Sequence, residues 1–315
     1  MTEFRNVAIL GAGLMGHGLA IVHALGGCRV RLYDIAPAAL ASAETQIAAA
    51  LRTLTEARAI TGAEATDAQQ RISYGRDLSM ALAGSDMVVE AIVEDMAVKQ
   101  HFYAEIAGRI PPGAVFASNT SYLNIFPAVP KDLQERCFII HWYTPPYIVD
   151  LVDVVAGEAV PEALTQRVTG FLRGLGKQPV RLKKFVSGYI ANRIQMAIES
   201  EIFSLLDKGV AEVEDIDTSI RHGLALRLAI LGQFRKIDYT GLRVVRDSHK
   251  SRVYDPPVHP TGSVRLDTLL AQGHEGVAKG AGFYDYTGKS AIDLYRKRDL
   301  DLLALKAAVK ATEAG

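Results

Sequence analysis

One histidine in this 315-residue chain is spaced to exchange a proton with a bound ligand. His141 closes the apolar run Cys137-Phe138-Ile139-Ile140-His141 and precedes the turn Thr144-Pro145-Pro146. In an open α/β sheet, ligands bind beyond the carboxyl ends of the strands, and this run predicts that position for His141. Imidazole titrates near neutrality, so it can take a hydroxyl proton as hydride leaves the same carbon. Asp153 follows on a second apolar run, Val149 to Val155. A carboxylate bonded to one ring nitrogen fixes the tautomer and steadies the imidazolium. A strand-end histidine can also be purely structural. The other histidines fit this chemistry less well: His17 and His23 follow a glycine loop, His101 and His222 fall in helical patterns, and His249, His259 and His274 lie in late polar segments.

Hydride needs an acceptor, and the N-terminus offers a place for one. Gly11-Ala12-Gly13-Leu14-Met15-Gly16 follows the apolar run Val7 to Leu10 and opens a helical pattern, His17 to Leu25. In that context Gly11 permits a tight turn, Gly13 lets the backbone approach phosphates and Gly16 allows close packing of helix on sheet. The amides at the helix N-terminus then hold a pyrophosphate. A second strand, Arg29 to Tyr33, ends at Asp34, 18 residues after Gly16. A carboxylate there accepts the adenosine ribose hydroxyls and repels a 2′-phosphate, which favours NAD over NADP. Arg31, three residues earlier, could soften that preference. The alternative is a glycine turn that binds no dinucleotide.

The elements that must position these residues read as two domains. Apolar strand-type runs at 7–10, 29–33, 87–91, 114–118, 137–141 and 149–155 alternate with helical patterns, including Ala36 to Thr55, in the manner of a parallel sheet flanked by helices. The character changes at Lys183-Lys184. From Gly188 to Leu206 the apolar residues keep helical spacing, a second helix runs from about Val213 towards His222, and the rest is helical apart from loops at Asp255-Pro256-Pro257 and His259-Pro260. The expectation is a Rossmann-type doubly wound α/β domain over residues 1–184, then a smaller all-helical domain over 185–315.

Composition narrows the class further. Lys plus Arg and Asp plus Glu each number 35, so there is no basic excess for nucleic acid or a membrane surface. No run of about 18 apolar residues suggests a transmembrane helix. The apolar start at Val7 is cut after four residues by Gly11, unlike a signal peptide. Two distant cysteines, Cys28 and Cys137, argue against a disulfide framework and fit a reducing cytoplasm.

Several longer stretches carry a family resemblance. GAGLMG (11–16), VEAIVED (89–95), SNTS (118–121), HWYTPP (141–146), LVDVV (151–155), GYIANR (188–193), GQFRKIDYTGL (232–242) and GAGFYDY (280–286) stand in order along nearly the whole chain. In them the sequence resembles the 3-hydroxyacyl-CoA dehydrogenases. The resemblance implies NAD as cofactor with no metal, His141 as general base, and Asp153 in the place of an orienting glutamate. It further implies that Ser121 bonds the substrate oxygen, that Asn192 binds the substrate carbonyl, and that Glu94 and Lys99 contact the nicotinamide side of the cofactor. It also implies fatty acid metabolism, closure of the helical domain over the cofactor and a homodimer formed through that domain. Read singly, Ser121 could instead be a helix N-cap and Asn192 an interhelical polar group.

Three departures bear on the substrate. Asp153 is one methylene shorter than the family's glutamate. Thr144 stands where the family usually has Asn, and Pro145-Pro146-Tyr147 resembles the branch of L-gulonate 3-dehydrogenase, carnitine dehydrogenase and lambda-crystallin, which acts on small free 3-hydroxy acids. The family's CoA-facing segment is rich in lysine, whereas residues 50–58 hold only Arg52 and Arg58, beside Glu56. The reading is therefore an L-3-hydroxyacyl dehydrogenase acting on a CoA ester or a related acid. The alternatives are a dehydrogenase of a small free 3-hydroxy acid, with Arg221 or Arg227 as carboxylate clamp, or a non-catalytic NAD-binding protein. A 6-phosphogluconate-like enzyme would need a lysine base on the first long helix, and none occurs there before Lys208.

Overall fold

A computed structural model describes residues 3–251, 254–257 and 263–313. Packing divides the chain into two compact units, one reaching Ala191 and one beginning at Asn192. The His259-Pro260 loop lies outside the described residues.

The first unit is built on one eight-stranded sheet. In chain order it runs β1 (Asn6–Leu10), α1 (Gly16–Leu25), β2 (Arg29–Tyr33), α2 (Pro37–Glu56), α3 (Gly62–Gln70), β3 (Ile72–Gly75) and α4 (Leu78–Leu82). Then come β4 (Met87–Glu90), α5 (Met96–Ile106), β5 (Val115–Ser118), β6 (Cys137–Trp142), β7 (Leu151–Ala156), α6 (Glu162–Gly174) and β8 (Gln178–Arg181). The strand order is β3-β2-β1-β4-β5-β6-β7-β8. Order reverses between β1 and β4, which opens a crevice above their carboxyl ends. Ile9, Val88, Phe116 and Ile139 are buried, as in central strands covered on both faces.

One pairing departs from the parallel pattern. β6 and β7 are antiparallel, and His141 is the direct cross-strand partner of Asp153. Eight residues separate the two strands, too few for the crossover that a parallel pair requires. Direct partners project from the same face of a sheet, so this turn-back brings the imidazole and the carboxylate together. Both edge strands, β3 and β8, escape the apolar-run criterion. β3 carries Ser73 and Gly75, and β8 carries Pro179 and Arg181, a composition suited to an edge.

The second unit is helical: α7 (Ala191–Asp207), α8 (Val213–Ser219), α9 (Leu226–Thr240), α10 (Leu242–Lys250), α11 (Val264–Ala271) and α12 (Ala291–Glu313). A π-helical stretch, Ile220–Ala225, joins α8 to α9 where the sequence pattern continues towards His222. No described residue of α7, α9 or α10 is buried. No helix among the described residues is long and apolar enough to cross a membrane.

Candidate active site

The glycine loop leaves β1 and enters α1 at the crevice. Gly11 adopts φ +110°, and its amide donates to Tyr33 O at 2.8 Å, locking the turn to the end of β2. A side chain at Gly11 would meet Ala91 O at 2.5 Å, and one at Gly16 would land on the carbonyl oxygen of Gly11. At Gly13 no atom lies within 4 Å of an added Cβ. Gly11 and Gly16 are therefore small for packing, while Gly13 leaves space for a ligand. Asp34 closes the arrangement: Oδ2 accepts the Ala12 amide at 2.8 Å and Oδ1 the Ala36 amide at 2.9 Å. Each oxygen keeps a second lone pair for a ribose hydroxyl. Leu14 is exposed beside the loop. Arg31 is turned to the carbonyl of Ala83. The open space at Gly13 beside the α1 N-terminus can hold a pyrophosphate, and the spare lone pairs of Asp34 can receive a ribose.

The loop also touches the turn after β6. A side chain at Gly18 would meet Pro146 Cγ at 2.5 Å, and the Thr144 hydroxyl donates to Met15 Sδ at 3.1 Å. The turn at the carboxyl end of β6 is thus held against α1 and the glycine loop. There His141 is 3% exposed and Asp153 fully buried. His141 Nδ1 stands 3.8 Å from Asp153 Oδ2, beyond hydrogen-bond length, and has no partner among the described residues. The ring is packed between Tyr143, edge-on with centroids 4.6 Å apart, and Tyr189, tilted at 4.8 Å.

Ser121 sits in the turn after β5, and Glu94 organises that turn. One oxygen of Glu94 accepts the Thr120 hydroxyl at 2.6 Å, the Ser121 amide at 2.7 Å and the Tyr122 amide at 3.0 Å. Burial alone would raise this carboxyl, but the Thr120 hydroxyl, the Tyr122 amide, the nearby Lys99 ammonium and the Ser121 amide outweigh it and hold it below the ordinary carboxylate range. The Ser121 hydroxyl has no hydrogen bond among the described residues. Lys99 is enclosed, with its ammonium 2.6 Å from Glu90 and 3.4 Å from Glu94. Glu90 also accepts the Tyr103 and Ser118 hydroxyls, at 2.6 and 2.7 Å.

His141, Asp153, Ser121, Glu94 and Lys99 therefore share the first unit with the glycine loop. Asn192 lies in the first turn of α7, in the second unit. In that unit, Arg221 and Arg227 are exposed, and Arg227 Nε donates to Gly223 O at 2.8 Å.

Sequence reasoning passed over three residues of this neighbourhood. The Tyr143 hydroxyl donates to Asp153 Oδ2 at 2.5 Å, and the Tyr189 hydroxyl to Thr120 O at 2.5 Å. Lys177 is buried and donates to Pro146 O and Val149 O, tying down the turn between β6 and β7. Only Tyr143 carried a usable signal, since it follows His141 by two residues, just past the end of β6, where a continued strand would put both on one face.

Comparison with known proteins decides the family. Residues 6–185 match the family described as 3-hydroxyacyl-CoA dehydrogenase, NAD binding domain, and residues 188–286 match its C-terminal domain. The chain belongs to the 3-hydroxyacyl-CoA dehydrogenase family. It is an NAD-dependent dehydrogenase acting on CH–OH groups. Among its relatives, the 5-formyl-3-hydroxy-2-methylpyridine 4-carboxylate 5-dehydrogenase of Mesorhizobium japonicum is 29% identical, over 98% of this chain and 99% of the relative. Human mitochondrial hydroxyacyl-coenzyme A dehydrogenase is 31% identical, over 90% of this chain and 91% of the relative. A solved structure of a 5-formyl-3-hydroxy-2-methylpyridine 4-carboxylic acid 5-dehydrogenase, described as an NAD+-dependent dismutase, superposes with a TM-score of 0.88 at 28% identity, covering 98% of this chain and 99% of that one.

Proposed function

We propose that this dehydrogenase oxidises the hydroxyl-bearing carbon of a small free acid, with His141 as the base. The observation that carries the base is the pairing of His141 with Asp153 beside the glycine loop. NAD, when bound, supplies the nicotinamide that accepts hydride. His141 Nε2, the ring nitrogen turned away from Asp153, takes the hydroxyl proton, and the buried Asp153 carboxylate favours the resulting imidazolium. The Ser121 hydroxyl, on a turn pinned by Glu94, bonds the reacting oxygen, and Asn192 holds a second substrate oxygen.

The preference for a free acid over a CoA ester rests on charge. From Pro37 to Gln70, the α2–α3 segment carries Glu44, Glu56, Glu64 and Asp67 against Arg52 and Arg58. Phosphates of CoA would meet a net negative surface there. The near-complete overlap with a pyridine-carboxylate dehydrogenase supports the same choice. The second reading, a hydroxyacyl-CoA substrate, is favoured by the likeness to the human enzyme.

The test is NADH production against 3-hydroxybutyryl-CoA and longer esters on one side and free L-3-hydroxy acids and hydroxymethyl-pyridine carboxylates on the other. Turnover of esters alone overturns the free-acid assignment. His141→Ala should cut turnover by roughly 10²–10⁴-fold, and unchanged turnover removes the base assignment.

We assign cofactor binding to residues 1–184 and substrate binding and dimerisation to 185–315. The unburied apolar faces of the second unit, with Phe234 84% and Tyr239 81% exposed, support a homodimer. Sedimentation at micromolar concentration should give twice the chain mass, and a monomer would refute this. A cytoplasmic location is in keeping with Cys28 and Cys137, both buried free thiols.

A further inference from the structure

One carboxylate oxygen serves two rings in this site. Asp153 Oδ2 accepts the Tyr143 hydroxyl at 2.5 Å and lies 3.8 Å from His141 Nδ1. Asp153 Oδ1 and His141 Nδ1 are both buried with no partner among the described residues. An O–H···O⁻ bond of that length is charge-assisted and strong, whereas 3.8 Å leaves only a through-space attraction. The aspartate that stands opposite the imidazole across β6 and β7 is thus spent first on a tyrosine.

We propose that Tyr143 is a positioning residue that holds Asp153 off His141 and thereby weakens the carboxylate's support of the imidazolium. This rests on His141 being the base. The phenol takes up part of the carboxylate's charge and fixes the oxygen that would otherwise close on Nδ1. A freed Asp153 satisfies two orphaned groups at once by bonding Nδ1–H, because both already lie on one face of the sheet. His141 then accepts a proton more readily, and activity that needs the neutral imidazole falls away at a higher pH.

The other groups facing His141 do not supply the effect. Tyr189 packs on the ring, but burial and the neighbouring Glu94, Asp153 and Tyr143 all push its hydroxyl up, so it stays neutral, and its proton is given to Thr120 O. Glu94 is bonded to the 120–122 turn, one oxygen accepting the Thr120 hydroxyl and the Ser121 and Tyr122 amides while the other lies 3.4 Å from Lys99, so its charge is taken up locally.

The test is Tyr143→Phe, which keeps the ring and removes the hydroxyl. The acid limb of log kcat/KM should move up by about 1 pH unit, and the His141 imidazole, followed by NMR in the NAD-free protein, should titrate higher by the same amount. In an Asp153→Asn background the same substitution should move neither. A limb and an imidazole titration that stay in place, or move to lower pH, overturn the proposal. If Tyr143→Phe abolishes turnover, the NMR titration alone decides. If His141→Ala retains full activity, the base assignment fails, while the titration still reports whether Tyr143 and His141 compete for Asp153.

Discussion

The carbonyl oxygen of Gly11 occupies the place where Gly16 would carry its β-carbon. The first and last glycines of the loop are therefore one packing unit, and the middle glycine is a different thing. Gly16→Ala forces backbone apart and should cost about 1–3 kcal/mol, seen as a fall in Tm. Gly13→Val faces open space, so its Tm should stay with the parent. It should instead weaken NAD, since losing one phosphate hydrogen bond costs about 1.5–3 kcal/mol. Calorimetric titration with NAD and thermal unfolding of both variants separate the two roles. Equal loss of Tm in both would mean that Gly13 is also a packing residue.

What could be read beforehand follows from how local each signal is. The run Val7 to Leu10 is apolar throughout because β1 is covered on both faces, and the loop and Asp34 follow at fixed spacing from it. The edge strands β3 and β8 lacked that signature, since Ser73, Gly75 and Pro179 suit an edge and resemble loop. The reversal at β7 was legible in principle, because eight residues cannot make a crossover. Side-chain reach was not legible. That Asp153 stops short of His141 and turns to Tyr143, or that Lys99 is enclosed by Glu90, depends on rotamers and separations across strands that no spacing rule contains.

Lys99 and Glu90 form a buried ion pair at 2.6 Å, both almost wholly shielded from water. Breaking such a pair from one side leaves a charge in a poor solvent, at a cost of about 3–5 kcal/mol. Lys99→Met should therefore lower Tm well beyond an ordinary surface change. Lys99 also stands 3.4 Å from Glu94, which pins the Ser121 turn, so the residual folded protein should show a raised KM. A variant with parental Tm would show that Tyr103 and Ser118, the other donors to Glu90, suffice to hold its charge.

His23 gives the first unit a pH-dependent stability. It is fully buried, and burial together with the nearby Lys177 ammonium lowers its pKa from 6.5 to about 4, although its bond to Leu19 O opposes the shift. The unfolded chain takes up this proton below about 6.5 and the folded chain only below about 4. Stability should thus be complete above that range, fall as pH drops through it and level off beneath it. The shift corresponds to roughly 3 kcal/mol at most. His23→Leu removes the titrating group, so its Tm should decline less between pH 7 and pH 4.5 than the parent's. Parallel declines would place the acid sensitivity elsewhere.

Asp34 should set the choice of NAD over NADP, and the surrounding cations say how it can be changed. Arg31 is committed to the carbonyl of Ala83 and does not reach towards the ribose position. Arg76 is better placed, because its Nε donates to Ile35 O at 3.2 Å, one residue past Asp34. Removing the carboxylate's charge while keeping its shape should then uncover a cation able to receive a 2′-phosphate. Asp34→Asn retains an oxygen for one of the two backbone amides, so the loop should still fold. The ratio of kcat/KM for NAD to that for NADP should fall by about tenfold, the equivalent of 1.4 kcal/mol. Asp34→Asn with Arg76→Ala should lose the NADP activity again. If the single variant keeps the parental ratio, discrimination lies in the shape of the loop and not in the charge of Asp34.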